Sequence, residues 1–132
     1  MPFYSFGTHS RPIDKELFIT EAKVIRKLAE DNSCIILGRC ADFVLQDLSN
    51  HYSFFICADD NYREQRGKSI YEGKSLKELK SEDKKRAKYY EFYTGEKWGN
   101  PENYDLVINT AKMSLEKAAD LIIEYINLMK NK

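Results

Sequence analysis

The sequence lacks the features that would assign it to a membrane, secreted or zinc-binding class. No apolar run reaches the ~18 residues of a membrane span, and the N-terminus has neither the basic region nor the apolar core of a secretory signal. The three cysteines fit no zinc-ligand spacing, and the two histidines lie far from any ligand cluster. We therefore expect a reduced, cytoplasmic protein without a metal site and without a membrane partner.

Internal repeats, proline-rich linkers and low-complexity stretches are also absent, so residues 1–132 are expected to form one domain. The net charge is zero, yet residues 63–97 carry 11 Lys/Arg against 7 Asp/Glu. This local excess of basic residues indicates an anionic ligand that meets the middle of the chain. A solvated helix face held by ion pairs explains the same excess, and composition alone does not separate the two.

Hydrophobic patterning predicts alternating helices and strands. The helices are predicted at residues 14–29, 41–45, 59–66, 75–93 and 114–129, and the strands at residues 34–37, 52–58 and 105–109. Gly67 is expected to end its helix, and residues 1–13 are expected to be irregular. The continuous apolar runs Cys34–Leu37 and Phe54–Ala58 predict strands buried on both faces. Three such strands joined by helical crossovers predict an α/β fold, with a parallel sheet and flanking helices.

In parallel sheets, ligands bind at the carboxyl ends of the strands. The first of these ends is Gly38-Arg39, followed by Asp42 three residues later. An arginine can grip a phosphate bidentately, and an aspartate can accept from a sugar hydroxyl or a base amine. The alternative is a surface ion pair between Arg39 and Asp42, which would contribute little to stability.

No predicted strand is followed by the glycine-rich loop that cradles the phosphates of a nucleotide. Gly67–Ser75 ends in Gly-Lys-Ser, but five residues rather than four separate its glycines, and a charged helix precedes it. Gly7–Arg11 fails for the same reasons. We interpret Gly67–Ser75 as a turn between two helices.

The predicted helix at residues 75–93 concentrates charge. Asp83 and Arg86 are three residues apart and therefore share a face. Lys85 and Lys88 add positive charge beside them, and we expect both lysines to help bind an anionic substrate. A salt-bridged helix with an aromatic packing stripe is the alternative, and Tyr90 is expected to pack rather than to bind.

Together these segments resemble the cytidylate kinase-like family of P-loop nucleoside monophosphate kinases, over roughly residues 14–126. The resemblance rests on SCIILGRCADFVL at 33–45, FFICADDNYREQR at 54–66, DKKRAKYYEFYTGEKWG at 83–99 and NYDLVINTAKMSLEKAADLI at 103–122. It implies a three-layer α/β/α, P-loop-kinase-like fold with a lid-like segment at about 63–97.

The resemblance also implies roles for individual residues. Arg39 and Asp42 would contact the acceptor, a nucleoside monophosphate such as cytidine monophosphate, although in true cytidylate kinases an aspartate directly follows the arginine and here Cys40 does. Asn109 and Thr110 would lie near the base of the donor, and ATP with Mg²⁺ would be the expected cofactors.

The resemblance further implies that three arginines of the lid would contact the phosphates, with Asp83 orienting them or the sugar. These arginines are Arg63, Arg66 and Arg86. Such residues would act by positioning and by neutralising the transferring group.

The chain departs from the family at its start, because the family's first strand, glycine-rich loop and first helix have no counterpart. We therefore expect an N-terminally truncated fold that lacks its central strand, is inactive alone, and forms a homo-oligomer or needs a missing N-terminal segment. Pro2–Phe6 is the only spare segment that could pair with the open strands.

The alternative is a non-catalytic pseudokinase remnant that senses nucleotides or oligomerises. Nucleic-acid binding through residues 75–94 is not expected, because the net charge is zero and acids are spread evenly along that helix.

Overall fold

The computed structural model describes the strand at residues 3–5 and the chain from residue 14 to residue 130. The elements are β1 (Phe3–Ser5), α1 (Lys15–Asp31), β2 (Ile35–Leu37), α2 (Ala41–Val44), β3 (Phe54–Cys57), α3 (Asp60–Ser69), α4 (Leu76–Thr94), a 3₁₀ helix (Pro101–Asn103), β4 (Leu106–Asn109) and α5 (Leu115–Lys130). The mixed α/β architecture with parallel strands and flanking helices is confirmed. Within the described ranges no helix is long and apolar enough to cross a membrane.

Helices α1, α3 and α4 begin where the sequence predicts because capping side chains satisfy their first free amides. The side chains of Asp14, Asp59 and Ser75 accept hydrogen bonds from the backbone of Leu17, Tyr62 and Glu78. Gly95 ends α4 in a left-handed conformation, with φ of 72°, and its amide donates to the carbonyl of Glu91.

Gly67 does not end α3, contrary to the prediction, because the helix continues through it to Ser69. Gly67 is buried where α3 meets the turn that leads into α4. A Cβ atom added to Gly67 would lie 2.3 Å from the carbonyl oxygen of Lys74. The absence of a side chain therefore permits this close approach, and residues 67–75 form a helix end and a turn, as interpreted above.

Strand pairing is divided between two two-stranded parallel sheets instead of one sheet. β1 pairs with β2, with Phe3 opposite Ile35, and β3 pairs with β4, with Phe54 opposite Leu106. No pairing joins β2 to β3 among the described residues. Residues 3–5 are thus a strand, although residues 1–13 were expected to be irregular, and this strand adds to β2 rather than to β3. Residues 6–13, which include Gly7–Arg11, lie outside the described residues.

The prediction that the strands are buried on both faces was wrong. Ile35, Leu37 and Ile56 are 45%, 48% and 51% exposed. Ile36 alone of the three β2 residues packs against the first core, which is formed by Ile25, Ala41, Val44 and Leu45. Ile35 and Leu37 share the face of β2 opposite to Ile36, and Val107 of β4 is 43% exposed. Apolar side chains of β2, β3 and β4 therefore remain open to solvent.

Candidate functional site

The turn between β2 and α2 has an uncommon backbone. Gly38, Arg39 and Cys40 all adopt left-handed conformations, with φ of 68°, 56° and 57°. Such values are costly for residues other than glycine, and they turn the chain sharply at the carboxyl end of β2. The amide of Val44 then donates to the carbonyl of Cys40 at 2.9 Å, which begins α2. Arg39 is therefore held at the strand end where α/β folds bind ligands.

Arg39 packs against α4. Its Cζ lies 5.9 Å from the centroid of the Tyr89 ring, in a cation–π contact. Tyr89 follows Arg86 by three residues, so the two share a face of α4 within one helical turn. The strand-end arginine thus comes within one turn of the lid arginine predicted on that helix.

Asp83 joins two of the three predicted lid arginines. Its carboxylate accepts a hydrogen bond from Nη2 of Arg63 on α3 and another from Nη1 of Arg86 on α4, the latter at 2.9 Å. The three side chains are partly buried, with exposures of 25%, 27% and 39% for Arg63, Asp83 and Arg86. One carboxylate therefore fixes the position of two guanidinium groups that come from different helices.

Asp42 is hydrogen-bonded to a tyrosine of α4. The hydroxyl of Tyr90 donates a 2.8 Å hydrogen bond to Asp42 Oδ2, while Glu96 Oε2 lies 3.4 Å from the same hydroxyl. Burial, and then the hydrogen bond to Asp42, raise the pKa of Tyr90 far above its usual range. Tyr90 packs in the core, as predicted, but its hydroxyl also fixes a candidate binding residue.

Cys40 is a buried structural residue. It is 4% exposed and packs with Tyr89 and Tyr90 in the second core. Burial, together with the nearby charge of Asp42, raises the pKa of the Cys40 thiol to about 12. The thiol is therefore protonated at neutral pH and is a poor nucleophile.

Three predicted site residues are not joined to the Arg63–Asp83–Arg86 group. Cζ of Arg66 lies 5.9 Å and 5.7 Å from the ring centroids of Tyr62 and Tyr71. Lys85 and Lys88 are exposed. Neither lysine stands three or four residues from Asp83 or Arg86 along α4, so neither shares the face of the helix that carries those two residues. Asp83 therefore joins Arg63 and Arg86 but none of these three cations.

Asn109 and Thr110 are engaged in local structure at the end of β4. The side chain of Asn109 accepts from the amide of Ala111 at 3.0 Å. Thr110 is buried, and its hydroxyl donates to the carbonyl of Cys57 at 3.4 Å, beside a 2.9 Å backbone hydrogen bond to the same oxygen. These contacts join β4 to β3. Across the described ranges, no group of three His, Cys, Asp or Glu side chains converges to hold a metal ion.

The family of the chain follows from comparison with known proteins. A model of the cytidylate kinase-like family matches residues 2–112. This chain belongs to the cytidylate kinase-like family. The crystal structure of an uncharacterized protein from Eubacterium ventriosum ATCC 27560 is 35% identical and superposes with a TM-score of 0.83, covering 96% of this chain and 82% of that one. No curated protein matches. Membership supports a kinase-like, phosphate-transferring function.

Three groups that organise the site of this cytidylate kinase-like chain were not predicted: Lys74, Glu82 and the hydroxyl of Tyr90. Lys74 donates to Glu82 at 2.7 Å, and Glu82 lies 3.9 Å from Arg86. The four-residue spacing of Glu82 and Arg86 is a signal that could have found this pair. The contact of Tyr90 with Asp42 spans 48 positions, and no local pattern could have predicted it.

Proposed function

We propose that this chain forms the acceptor site and the lid of a nucleoside monophosphate kinase, with a nucleotide such as cytidine monophosphate as the acceptor. The observation that carries this proposal is the shared carboxylate of Asp83, which holds Arg63 and Arg86 together within one helical turn of the Arg39–Tyr89 contact. Membership of the cytidylate kinase-like family supports it.

The chemistry of phosphoryl transfer suits such a group of arginines. Negative charge spreads over the oxygens of the transferring group, and guanidinium groups held in place beforehand stabilise that charge without reorganising. Asp83 would keep Arg63 and Arg86 oriented before the substrate arrives. Arg39 would bind the phosphate of the acceptor, and Asp42, held by Tyr90, would accept from its sugar or base.

The described residues do not fit the triphosphate of a donor. The ends of β2, β3 and β4 carry Gly38-Arg39-Cys40, Ala58-Asp59 and Asn109-Thr110, and none of these is a glycine-rich loop. We therefore assign no step to ATP or Mg²⁺, and we propose that the chain by itself does not transfer phosphate. The unpaired space between β2 and β3 is where we propose that the family's first strand and phosphate loop would lie, as in a three-layer P-loop kinase.

A second candidate is a non-catalytic module that binds nucleotides for sensing or oligomerisation. The absence of a glycine-rich loop at these three strand ends favours it. It shares the nucleotide site with the first candidate and differs in having no phosphate transfer in any assembly.

Calorimetric titration with nucleoside monophosphates tests the shared site. We expect Arg39→Ala to weaken binding at least tenfold, because one charged contact supplies about 1.4 kcal/mol of binding free energy. The melting temperature should change little. Lys23→Ala removes an equal charge from an exposed position on α1 and is the control. No binding to the parent protein would overturn the proposal, and unfolding of Arg39→Ala would make Arg39 structural. Turnover above ~1 s⁻¹ in a coupled assay would contradict the missing donor site.

A further inference from the structure

The solvent face of α4 carries a row of lysines. Lys77, Lys84, Lys85 and Lys88 are exposed, and helical geometry places them on one arc about 100° wide. None of the four makes an ion pair within the part of the chain that the structure describes. Such an excess of positive charge on one face is the electrostatic footprint of a polyanion site.

Two of the four acids of α4 turn away from this face. Glu82 pairs with Lys74, and Asp83 pairs with Arg63 and Arg86, on the inner side of the helix. The other two, Glu78 and Glu91, are exposed and flank the row, so four lysines stand against two acids on the solvent side. The even spread of acids along the sequence, which argued against a nucleic-acid partner, therefore becomes an excess of two positive charges on one side of the folded helix. Lys80 is set apart from the row, because it pairs with Asp60 at 2.8 Å.

The row of lysines ends at an exposed aromatic ring. Phe92 follows Lys88 by four residues and so shares its face, and 62% of its surface is exposed. Tyr93 holds the ring edge-on, with centroids 4.9 Å apart. From Lys77 to Phe92 the face is about 22 Å long, enough for several nucleotides.

We propose that this lysine face, formed by Lys77, Lys84, Lys85, Lys88 and Phe92, binds single-stranded nucleic acid. The ammonium groups would contact successive phosphates, and one base would stack on Phe92. Lysines are point charges without a bidentate fork, so this site would tolerate many sequences. A lipid surface fits less well, because an interfacial helix needs a broad apolar face and this one offers a single large apolar side chain.

Fluorescence anisotropy with labelled oligouridine of about ten nucleotides tests the proposal. Between about 50 and 200 mM KCl, four phosphate contacts predict a slope of about −3 for log K against log salt. We expect the triple variant Lys77→Gln, Lys84→Gln, Lys88→Gln to bind at least tenfold more weakly and to reduce the slope to about −1. Phe92→Ala should weaken binding about tenfold and leave the slope unchanged.

A matched control separates local from net charge. Lys15→Gln, Lys23→Gln, Lys117→Gln removes the same charge from exposed positions on α1 and α5, and should bind like the parent. Equal weakening by both triple variants, or no binding at low salt, would overturn the proposal. Binding to phosphatidylserine vesicles but not to the oligonucleotide would replace it with a lipid surface. Displacement of the oligonucleotide by cytidine monophosphate would instead locate it at the acceptor site, so this test is independent of the proposed kinase role.

Discussion

The hydroxyl of Tyr90 on α4 donates a 2.8 Å hydrogen bond to the carboxylate of Asp42 on α2. Tyr90 is only 4% exposed, so the bond forms at the edge of the second core, where little water competes. It connects α4, which carries Asp83 and Arg86, with α2, which follows Arg39. Through this contact the two parts of the candidate site are held in one arrangement.

Tyr90→Phe removes this bond and keeps the ring. We expect the free energy of unfolding to fall by about 1–2 kcal/mol, because a partly buried carboxylate loses its donor. Tyr52→Phe is the control, since the structure gives its hydroxyl no hydrogen bond within residues 14–130. That variant should stay within about 0.5 kcal/mol of the parent in urea denaturation. Equal losses in the two variants would contradict the importance of the Tyr90–Asp42 bond.

Asp83→Asn leaves Arg63 and Arg86 without their shared charge. The two guanidinium groups would then repel each other in a partly buried site, and we expect a loss of about 1–2 kcal/mol in urea denaturation. Asp60→Asn breaks the Asp60–Lys80 pair, whose side chains are 58% and 50% exposed, and should cost under about 0.5 kcal/mol. If the two substitutions cost the same, Asp83 does not organise the arginines.

Gly67→Ala tests the close contact between α3 and the turn before α4. In an open helix this substitution would stabilise the protein by up to about 1 kcal/mol. Here the new Cβ would lie 2.3 Å from the carbonyl oxygen of Lys74, so we expect a net loss of about 1–3 kcal/mol. Gln65→Ala, at an exposed position of the same helix, should be nearly neutral. A gain in melting temperature for Gly67→Ala would show that the turn yields easily.

The buried thiol predicts a loss of stability in alkali. Folding raises the pKa of Cys40 from 9.0 to about 12, so the folded state holds this proton more tightly than the unfolded state does. The resulting stability is complete below pH 9 and is lost as the pH rises toward 12. We expect Cys40→Ala to lose less of its unfolding free energy over this range than the parent loses. Val44→Ala, which leaves a cavity without a titrating group, should keep the slope of the parent.

The sequence predicted the local structure of this chain well, and its long-range structure less well. Asp14, Asp59 and Ser75 are capping residues whose effect is confined to one helical turn, so the helix starts were predictable. The joining of Asp83 with Arg86 follows from spacing, and its joining with Arg63 was implied only by family resemblance. The prediction for Gly67 was wrong because glycine serves both to end helices and to admit a neighbouring backbone. Only the packing of α3 against the turn before α4 distinguishes these uses.

Burial of the strands could not be predicted for a different reason. An apolar run such as Cys34–Leu37 indicates that both faces of a strand need to be covered. It does not show whether another part of the chain covers them. With β2 paired only to β1 and β3 only to β4 among the described residues, Ile35, Leu37 and Ile56 remain about half exposed. The excess apolar surface is thus a property of the arrangement of strands and not of any one segment.

This surface predicts self-association of the chain. Unpaired strand edges beside exposed apolar side chains are the usual sites of strand addition, and we expect the weight-average mass from light scattering to rise with concentration in the micromolar range. Ile56→Lys introduces a charge beside the open side of β3 and should shift the protein toward the monomer without unfolding it. Ile70→Lys is the control, because Ile70 is similarly exposed, at 55%, but lies in the turn after α3. A monomer at every concentration, with a cooperative melt, would mean that these sheet edges are stable in water as they stand, and the proposed place for a further strand would lose its support.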